Sequence, residues 1–578
     1  MFEQNPRRLW LFVAALTLSQ QTITAQDAEG RPNVLLISID DLNDWVGPLS
    51  GHPQTKTPHL DRLARRGVTF TNAHCNVPVC SPSRTSLMTG KQPFRSGVYT
   101  NGDSVFDLNG KFKTLPEHFA AAGYKTLGAG KLFHGSGGKY AKFFDEYGPG
   151  SGNQGGPFTK EELDTLKQNP VHVVNRGPGK LQATLPLNRM PDDRRTGESR
   201  NNTFDWGPVD VTDAEMPDGQ VAAWAVKQLK RDFKEPFFLG VGFYRPHQPL
   251  FAPRRHFEEF PADETKLPAT REDDLEDLPA YARRLAILPL TAGRHATVVK
   301  YEQWNEAARA YLACVRFVDD LVGQVVDALE ASPYAENTWI VLFSDHGYHL
   351  GEKQHWGKFT TWQEATRVPL IIVPPQKLAS QFATGRSCAE PISLIDLYPT
   401  LIDLCDLNRP KHELDGESLR GQLIDPAKQR LHPAITTVGR GTYTLRSLNH
   451  RYTRYFDGTE ELYDLEADPN EWQNIAEREE SKSLINQLGK FLPPDEDVKR
   501  FVRNGRWKAV FFHDESREPL LFELTGGTGS GGGIGETRST AKQHPQVLRE
   551  IKRLLDKKAS AGKHVILPAR ESKRDESR

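Results

Sequence analysis

Apolar residues in this chain fall into two alternating patterns between residue 33 and residue 344. Short runs rich in valine, isoleucine, leucine and phenylalanine predict buried β-strands. These runs are Asn33–Ile39, Lys125–Gly128, Phe237–Phe243 and Trp339–Ser344. Between them, a helical period predicts helices at Leu115–Ala122, Gln220–Lys230 and Glu306–Glu330. Alternating strands and helices predict an α/β fold with a large doubly wound, mostly parallel sheet and helices on both faces.

The pattern changes after about residue 430. There Arg451–Phe456 and Glu461–Leu465 read as antiparallel strands followed by a helix. We predict an N-terminal α/β domain over residues 31–430 and a smaller α+β subdomain over residues 431–495.

A weaker copy of the same strand-strand-helix pattern follows over residues 496–567. Its elements are the strands Arg506–Phe512 and Leu520–Leu524 and a helix over His544–Leu555. It indicates either a duplicated subdomain or an ordinary extension. Residues 568–578 are strongly charged and are predicted to be a disordered tail.

Two long segments of the N-terminal domain lack a clear period. Gly135–Asp218 is rich in glycine, asparagine, proline and charge, and Pro253–Leu290 is similar. Long loops of this kind more often form binding surfaces or lids than core. We expect both segments to line a binding cleft.

Charge excludes some functional classes. The chain has 578 residues and a formal net charge of -1, with a pI near 7. Such a balance gives no general attraction to nucleic acid or to membranes. No nucleic-acid partner and no stable membrane insertion are therefore predicted, and any capture of an acidic polymer must be local.

The amino terminus has the pattern of an export signal. Arg7 and Arg8 precede the apolar run Leu9–Leu18, and Ile23–Ala25 offers a cleavage site. Residues 1–25 are predicted to be a signal peptide, with a periplasmic or secreted mature protein, or a lysosome-like compartment in a eukaryote. An uncleaved anchor is the alternative, which the short apolar run disfavours.

Two of the predicted strands end in residues that can bind a metal ion. Asp40 and Asp41 follow the first strand, and Asp345 and His346 follow the strand Trp339–Ser344. Ligands of open α/β sheets bind outside the carboxyl ends of the strands, so these residues are expected to share one crevice. Carboxylates packed this closely need a cation, and oxygen ligands favour Ca²⁺ or Mg²⁺. Either pair alone could instead cap a helix or open a turn.

The segment Cys80-Ser81-Pro82-Ser83-Arg84 predicts an anion site at the start of a helix. Pro82 suits the first helical turn, because its missing N–H would have no partner there. The helix would then start at Cys80, with its free N–H groups and its dipole facing an anion. Arg84 lies one turn later and can reach back with its fork of donors.

Cationic and imidazole side chains follow other strand ends. Lys131 and His134 come after the strand at Lys125, and Arg245 and His247 come after Phe237–Phe243. Lys358 follows the strand that ends at Asp345. Such residues could surround an anion and supply protons to a leaving group. Taken singly, each is more often a solvated surface residue.

Together these motifs resemble the type I, formylglycine-dependent sulfatases of the alkaline phosphatase superfamily, and among them the iduronate 2-sulfatase branch. The resemblance spans roughly residues 31–475. The segments that carry it are Asp40–Asn43, Cys80–Gly90, Gly130–His134, Tyr244–Pro249 and Ser344–Lys358.

This resemblance implies a role for each site residue. A maturation enzyme would oxidise Cys80 to formylglycine, whose hydrated aldehyde attacks the sulfur of a sulfate ester. One Ca²⁺ would be held by a set of five residues. They are Asp40, Asp41, Cys80 in its oxidised form, Asp345 and His346. Arg84, Lys131 and Lys358 would bind the sulfate and orient the nucleophile. His134 would help expel the sulfate, and His247 would be the general acid.

The family resemblance leaves the substrate open. The expected reaction is hydrolysis of a sulfated carbohydrate, with a uronate 2-O-sulfate as the leading substrate. The alternatives are a choline sulfatase, a phosphonate or phosphodiester hydrolase of the same superfamily, and a non-catalytic glycan-binding protein. Basic residues of the first long segment could meet a uronate carboxylate or form a solvated loop face. These residues are Arg176, Lys180, Arg189, Arg194 and Arg195.

Cysteine usage leaves three disulfide pairings open. If Cys80 is oxidised, Cys75, Cys314, Cys388 and Cys405 remain. Cys314 lies in a helical pattern, where a buried free thiol is expected. A disulfide between Cys75 and Cys80 is the alternative that would exclude a sulfatase.

Overall fold

The computed structural model describes most of the chain, with gaps at the amino terminus, in the first long segment and near the carboxyl terminus. The described residues are 30–135, 138–153, 155–166, 169, 171–191, 204–493, 498–504, 507–512, 520–523, 544–557 and 565–567. The predicted signal peptide and the predicted disordered tail lie outside these ranges. Among the described residues, no helix is both long and apolar enough to cross a membrane.

An eight-stranded mixed sheet forms the centre of the molecule. In chain order its strands are β1 (Asn33–Asp40), β2 (Val68–Phe70), β3 (Lys125–Gly130), β4 (Glu146–Tyr147), β5 (Phe237–Pro246), β6 (Thr338–Ser344), β7 (Leu370–Val373) and β8 (Arg386–Cys388). They lie in the order β8-β2-β7-β6-β1-β5-β3-β4. The five strands from β6 to β4 are parallel, and β7 is antiparallel to both of its neighbours.

Helices cover both faces of this sheet, as predicted. Leu35, Ile37 and Ile39 of β1 point into one apolar core, and Val34 and Leu36 point into the other. The first core is covered by Pro58–Arg66, Pro217–Leu229 and Trp304–Glu330. The second is covered by Cys80–Thr89, Leu115–Ala121 and Leu397–Leu404. Because β1 is buried on both faces, its sequence is mostly apolar and does not alternate between apolar and polar residues.

Shorter helices connect these elements. They are Pro93–Ser96, Lys160–Thr165, Arg254–Phe257, Ala280–Ile287, His295–Lys300, Gln363–Thr366 and Arg420–Ile424. Small strand pairs also form outside the main sheet. They are His172–Asn175 with Gln182–Leu185, Trp206–Val209 with Leu250–Pro253, Ala73–His74 with Ile392–Ser393, and His349–Leu350 with Trp356–Gly357. The two long polar segments therefore contain regular structure where loops were expected.

The C-terminal subdomain is a four-stranded antiparallel sheet, which confirms a separate small subdomain. Its strands are Ala434–Thr437, Tyr443–Arg446, His450–Arg454 and Glu460–Asp464, and the helix Ser481–Gly489 follows.

A second four-stranded sheet is formed by the extension. It contains Val498–Asn504, Trp507–Phe512, Leu520–Glu523 and Val565–Leu567, with the helix Pro545–Lys557. Its last strand pairs parallel to Val498–Asn504, whereas the first sheet is wholly antiparallel. Duplication of the subdomain stays a prediction, as do the domain boundaries.

Candidate active site

The ends of β1 and β6 are tied together, and this brings their acidic residues to one point. The N–H of Asp41 donates to Asp345 Oδ1 at 3.3 Å, and the Tyr311 hydroxyl donates to the Asp41 carbonyl at 2.7 Å. Asp41 has a φ of 60°, a left-handed conformation that a non-glycine residue adopts only where its surroundings fix it. Asp40, Asp41 and Asp345 are all buried, so the predicted shared crevice is present.

His346 lies at the centre of this group. Its Nε2 atom is 3.3 Å from Cys80 Sγ, 3.4 Å from Asp345 Oδ2 and 3.5 Å from Asp41 Oδ1. The other ring nitrogen, Nδ1, is 3.1 Å from the Gly347 carbonyl oxygen. Because a carbonyl only accepts, Nδ1 carries the proton in the neutral ring, and the lone pair of Nε2 faces the cluster.

Cys80 is the first residue of the helix Cys80–Thr89, where the sequence placed it. The N–H of Ser81 donates to Asn101 Oδ1 at 2.9 Å, and the Ser81 hydroxyl donates to the Asp103 carbonyl at 2.6 Å. The loop at residues 101–103 therefore fixes the start of the helix. Cys80 itself is fully buried, at the base of the site.

Arg84 connects both strand ends from one turn along this helix. Its Nε donates to Asp345 Oδ2 at 2.8 Å, and its Nη2 donates to Asp40 Oδ1 at 3.3 Å. A third nitrogen, Nη1, donates to the Ser38 hydroxyl at 3.0 Å and to the Lys131 carbonyl. A lysine could not supply this fork of donors, so an arginine is needed here.

Two lysines contact both the carboxylates and the thiol. Lys131 Nζ binds Asp40 and lies 3.7 Å from Cys80 Sγ, and it sits 4.6 Å above the Tyr244 ring centre. Lys358 Nζ is 2.5 Å from Asp41 Oδ1 and 3.2 Å from Cys80 Sγ. Both side chains are almost wholly buried, so their charges act with little screening by water.

Two histidines lie nearer to solvent. His247 has 15% of its side chain exposed, and its Nε2 is 4.0 Å from Asp41 Oδ2. Its Nδ1 is 2.5 Å from the Gln248 carbonyl oxygen, so Nε2 is the atom that faces the site. His134 is half-buried and contributes a hydrogen bond that lowers the pKa of Cys80. The Tyr140 hydroxyl binds the carbonyl of His134 and fixes its position.

Arg245 does not lie on the rim with these histidines, contrary to the expectation from sequence. It is fully buried within β5, and its Nη1 donates to the His247 carbonyl at 2.7 Å. Its Nε donates to the Phe251 carbonyl at 2.7 Å, while both Asp218 carboxylate oxygens accept backbone N–H groups at residues 244 and 245. Arg245 therefore holds the turn that carries His247.

The surrounding cations make the Cys80 thiol unusually acidic. Burial alone would raise the pKa of Cys80, but Lys131, Lys358 and His346 together lower it well below its usual value. The geometry thus stabilises negative charge at the position of the Cys80 sulfur.

The surroundings of the buried site residues shift their pKa values in different directions. Burial raises the pKa of Asp345 to about 7, against the opposing effect of Arg84. For Asp40, the cations Lys131, His247 and Arg84 outweigh burial and lower the pKa. Burial would lower the pKa of His346, yet Asp345 raises it to about 8.

The residues present fit a hard divalent cation. Asp41 Oδ2 is buried and has no hydrogen-bond partner among the described residues. Ligand atoms of Asp40, Cys80, Asp345 and His346 lie within 4.8 Å of one another, as do those of Asp40, Asp41, Cys80 and His247. Three carboxylates and an imidazole lone pair form a mostly oxygen donor set of the kind that binds Ca²⁺.

The structure also bears on the alternatives left open for the basic residues of the first long segment and for the cysteines. Arg176 is paired with Glu162, whose carboxylate accepts from its guanidinium at 2.6 and 3.0 Å. Lys180 lines a surface cavity of about 720 Å³ together with Arg254 and Arg255, and none of the predicted site residues lines that cavity. Arg194 and Arg195 lie outside the described residues, and Arg189 makes no side-chain contact with the site among the residues that the structure describes. All five cysteines lie in the described chain and are free and buried, so the disulfide between Cys75 and Cys80 is not formed.

Several residues that complete the site carried no signal in the sequence. The Ser83 hydroxyl donates to the Asp345 carbonyl at 2.6 Å, and Tyr311, Asn101 and Tyr140 make the contacts described above. Ser83 lies inside the cysteine motif, but its spacing did not reveal its partner. Tyr311 lies 270 residues along the chain from Asp41. Asn101 and Tyr140 lie 20 and 6 residues from Ser81 and His134, but in segments without a recognisable pattern.

Comparisons with known proteins agree with this geometry. The sulfatase family profile matches residues 32–407, and that of the C-terminal region of N-sulphoglucosamine sulphohydrolase matches residues 351–497. The chain belongs to the sulfatase family. It is a sulfuric ester hydrolase.

Individual relatives support the same class and differ in their named substrates. A sulfatase of Formosa agariphila is 37% identical over 88% of this chain and 96% of its own length. Mouse (Mus musculus) iduronate 2-sulfatase is 27% identical over 82% of this chain and 96% of its own length. A solved structure in complex with D-glucosamine-2-N,6-O-disulfate shares the fold, with a TM-score of 0.59, 20% identity, and coverage of 80% of this chain and 97% of its own.

Proposed function

We propose that this chain hydrolyses sulfate esters of a carbohydrate, with a formylglycine made from Cys80 as nucleophile and one bound Ca²⁺. The observation that carries the proposal is the position of Cys80. It lies at the start of a helix, within 3.7 Å of two lysine ammonium groups and one imidazole. Formylglycine would supply the attacking hydroxyl, and Ca²⁺ would offset the charge of the three carboxylates.

The remaining residues of the site would bind the sulfate and hold the reacting groups. Lys131 and Lys358 approach Cys80 from two sides, so a sulfate group at this point would meet fixed positive charge without reorganisation. Arg84 would keep the carboxylates of Asp40 and Asp345 in place. The proposed metal ligands are Asp40, Asp41, Cys80 after oxidation, Asp345 and His346.

Proton transfer is assigned to the two histidines nearest to solvent. His247 presents Nε2 to the site while Nδ1 donates to the Gln248 carbonyl. A proton on Nε2 would pass to the bridging oxygen as the ester bond breaks. His134, whose carbonyl is fixed by Tyr140, would help release the sulfate.

The leading substrate is a uronate 2-O-sulfate. Its support is the likeness to iduronate 2-sulfatase over nearly the whole length of that protein. The basic residues of the first long segment add little to this assignment, since Arg176 is already paired. The sugar must therefore be identified by measurement.

A panel of sulfate esters tests both the proposed reaction and the proposed substrate. We expect the exported, matured protein to hydrolyse an aryl sulfate faster than the matching aryl phosphate or phosphonate. Among natural esters we expect most sulfate release from 2-O-sulfated uronate oligosaccharides, compared with sulfated galactans, fucans and choline sulfate. Sulfate release is measured by ion chromatography, with enzyme lacking the maturation step as control.

Each result of the panel has a distinct meaning. Preference for choline sulfate would overturn the carbohydrate assignment and leave the sulfatase chemistry intact. Faster phosphate or phosphonate turnover would favour the phosphonate or phosphodiester hydrolase alternative. Binding of the oligosaccharides without sulfate release would favour a glycan-binding protein.

Export and maturation complete the proposal. The charged and apolar pattern of residues 1–25 supports a signal peptide and a periplasmic, secreted or lysosome-like location. A formylglycine-generating enzyme would be a required partner, because Cys80 is fully buried in the folded chain and would have to be modified before folding is complete.

A further inference from the structure

The loop that carries Lys358 is held at both ends by one residue of the C-terminal subdomain. We call residues 353–363 the lysine loop. At its start, Lys353 Nζ donates to the backbone carbonyl of Glu471. At its end, the N–H of Gln363 donates to Glu471 Oε2 at 2.9 Å. Lys358 lies midway between these two contacts.

Glu471 is itself fixed by a buried ion pair. Its Oε1 accepts from Arg451 Nε, and Arg451 Nη1 also donates to the Thr361 carbonyl at 3.2 Å. Arg451 and Glu471 are at most 1% exposed. Removing one partner of such a pair leaves an uncompensated charge in the interior, so the arrangement strongly resists displacement. Arg451 belongs to the subdomain strand His450–Arg454, which makes the sheet a support for the loop.

Further contacts join the same loop to the same sheet. Trp362 Nε1 donates to Glu461 Oε2 at 3.0 Å, and the Thr361 hydroxyl lies 2.9 Å from the Tyr455 hydroxyl. Lys353 Nζ also binds Asp274 Oδ1 at 2.6 Å. The lysine loop is thus anchored on buried polar groups on both sides of Lys358.

The middle of the anchored loop lies at the reacting centre. Lys358 Nζ lies 3.2 Å from Cys80 Sγ, and the N–H of Phe359 donates to the Pro78 carbonyl at 3.0 Å. A shift of the loop would therefore move the ammonium group directly relative to Cys80. Misplacing a reacting or binding group by about 1 Å can cost roughly a hundredfold in rate.

We propose that Glu471 is a positioning residue for sulfate hydrolysis, which places the ammonium group of Lys358 by fixing both ends of the lysine loop. The inference rests on the proposed function, in which Lys358 contacts the sulfate. It assigns to the C-terminal subdomain a part in catalysis, although the subdomain supplies none of the proposed metal ligands or catalytic side chains.

The first test is Glu471→Gln in the full-length, matured enzyme. In Glu471 each carboxylate oxygen accepts one of these two hydrogen bonds, and in glutamine one of the two positions becomes an NH₂ group that cannot accept, so one contact is lost. We expect kcat on an aryl sulfate to fall about ten- to a hundredfold, with a smaller change in KM. As a matched control, Arg430→Ala breaks the buried pair of Arg430 with Asp396 at 2.9 Å, and neither residue contacts the lysine loop. The control should lower the melting temperature and leave kcat per folded molecule unchanged.

A double-mutant cycle separates positioning from a merely structural role. In a Lys358→Ala background the ammonium group is gone, so Glu471→Gln should cause no further loss of kcat. An equal loss of kcat in both backgrounds would overturn the proposal. If Glu471→Gln does not fold, Gln363→Pro removes the N–H at that anchor, together with the Gln363 side chain, and leaves Glu471 and Arg451 unchanged. Proline is tolerated there because Gln363 is the first residue of the helix Gln363–Thr366.

The outcomes also separate this inference from the proposed function. Wild-type enzyme without sulfate turnover, or Lys358→Ala with unchanged turnover, would refute the proposed function. If wild type is active and Lys358→Ala is impaired, but Glu471→Gln keeps wild-type kcat, the positioning role alone is refuted.

Discussion

Cys80→Ala should lower sulfate release by roughly four orders of magnitude or more, because loss of a covalent nucleophile removes the step on which the others depend. The fold should persist, since the change deletes one sulfur atom and no large core side chain. Turnover of an aryl sulfate and the melting temperature are measured on the same preparation. Cys314→Ala is the matched control, because Cys314 is equally buried but lies in the long helix Trp304–Glu330.

The chemical state of Cys80 gives an independent test of the same mechanism. In a host able to mature the protein, the tryptic peptide containing Cys80 should have the mass of the aldehyde and react with aldehyde probes. In a host without the maturation enzyme, it should keep the thiol and the enzyme should be inactive. Fully active protein with a free thiol at Cys80 would refute the formylglycine mechanism.

The central fold could be predicted from sequence because the patterns that indicate its strands lie within short, continuous segments of the chain. Strand β1 is buried on both faces, so most of its positions before Asp40 are apolar, and the same holds for β6 before Asp345. Parallel strands place their carboxyl ends at one edge. Two short segments of sequence therefore indicated the site before any contact was known. The start of the helix Cys80–Thr89 could be predicted for the same reason, since Pro82 lies in its first turn.

The elements that were missed depend on pairing between distant segments. Trp206–Val209 and Leu250–Pro253 are only four residues each, and they form strands because they pair with each other. Neither is long enough to show a period of its own. Strands β2 and β7 are similarly short, so the antiparallel part of the main sheet was not anticipated.

The supporting contacts of the site were unpredictable for the same reason. Tyr311 holds the Asp41 carbonyl from a helix that begins more than 250 residues later. Glu471 fixes the loop of Lys358 from another subdomain. Arg245 was expected at the rim of the site because of its charge and its position after a strand. It is instead buried within β5, where it donates to the backbone carbonyl of His247. The sequence specified which chemical groups are present, and the tertiary fold decided which of them face the substrate.

Calcium removal should inactivate the enzyme and lower its melting temperature. Asp40, Asp41 and Asp345 are at most 1% exposed, and Asp41 Oδ2 has no hydrogen-bond partner among the described residues. An ion whose free concentration is about a hundred times its dissociation constant stabilises the folded state by about 2.7 kcal/mol. Rate and melting temperature are measured after exhaustive chelation, and again after addition of Ca²⁺ or Mg²⁺.

The response to added calcium should depend on the carboxylate ligands themselves. Asp41→Asn keeps the size of the side chain but removes a charge that would attract the ion. We expect chelated Asp41→Asn protein to regain much less thermal stability on addition of Ca²⁺ than chelated wild type. As a control, Asp396→Asn alters a buried carboxylate paired with Arg430, away from the site, and should leave the calcium response intact. Full activity in metal-free wild-type protein would rule out the proposed calcium site, and an unchanged calcium response in Asp41→Asn would exclude Asp41 as a ligand.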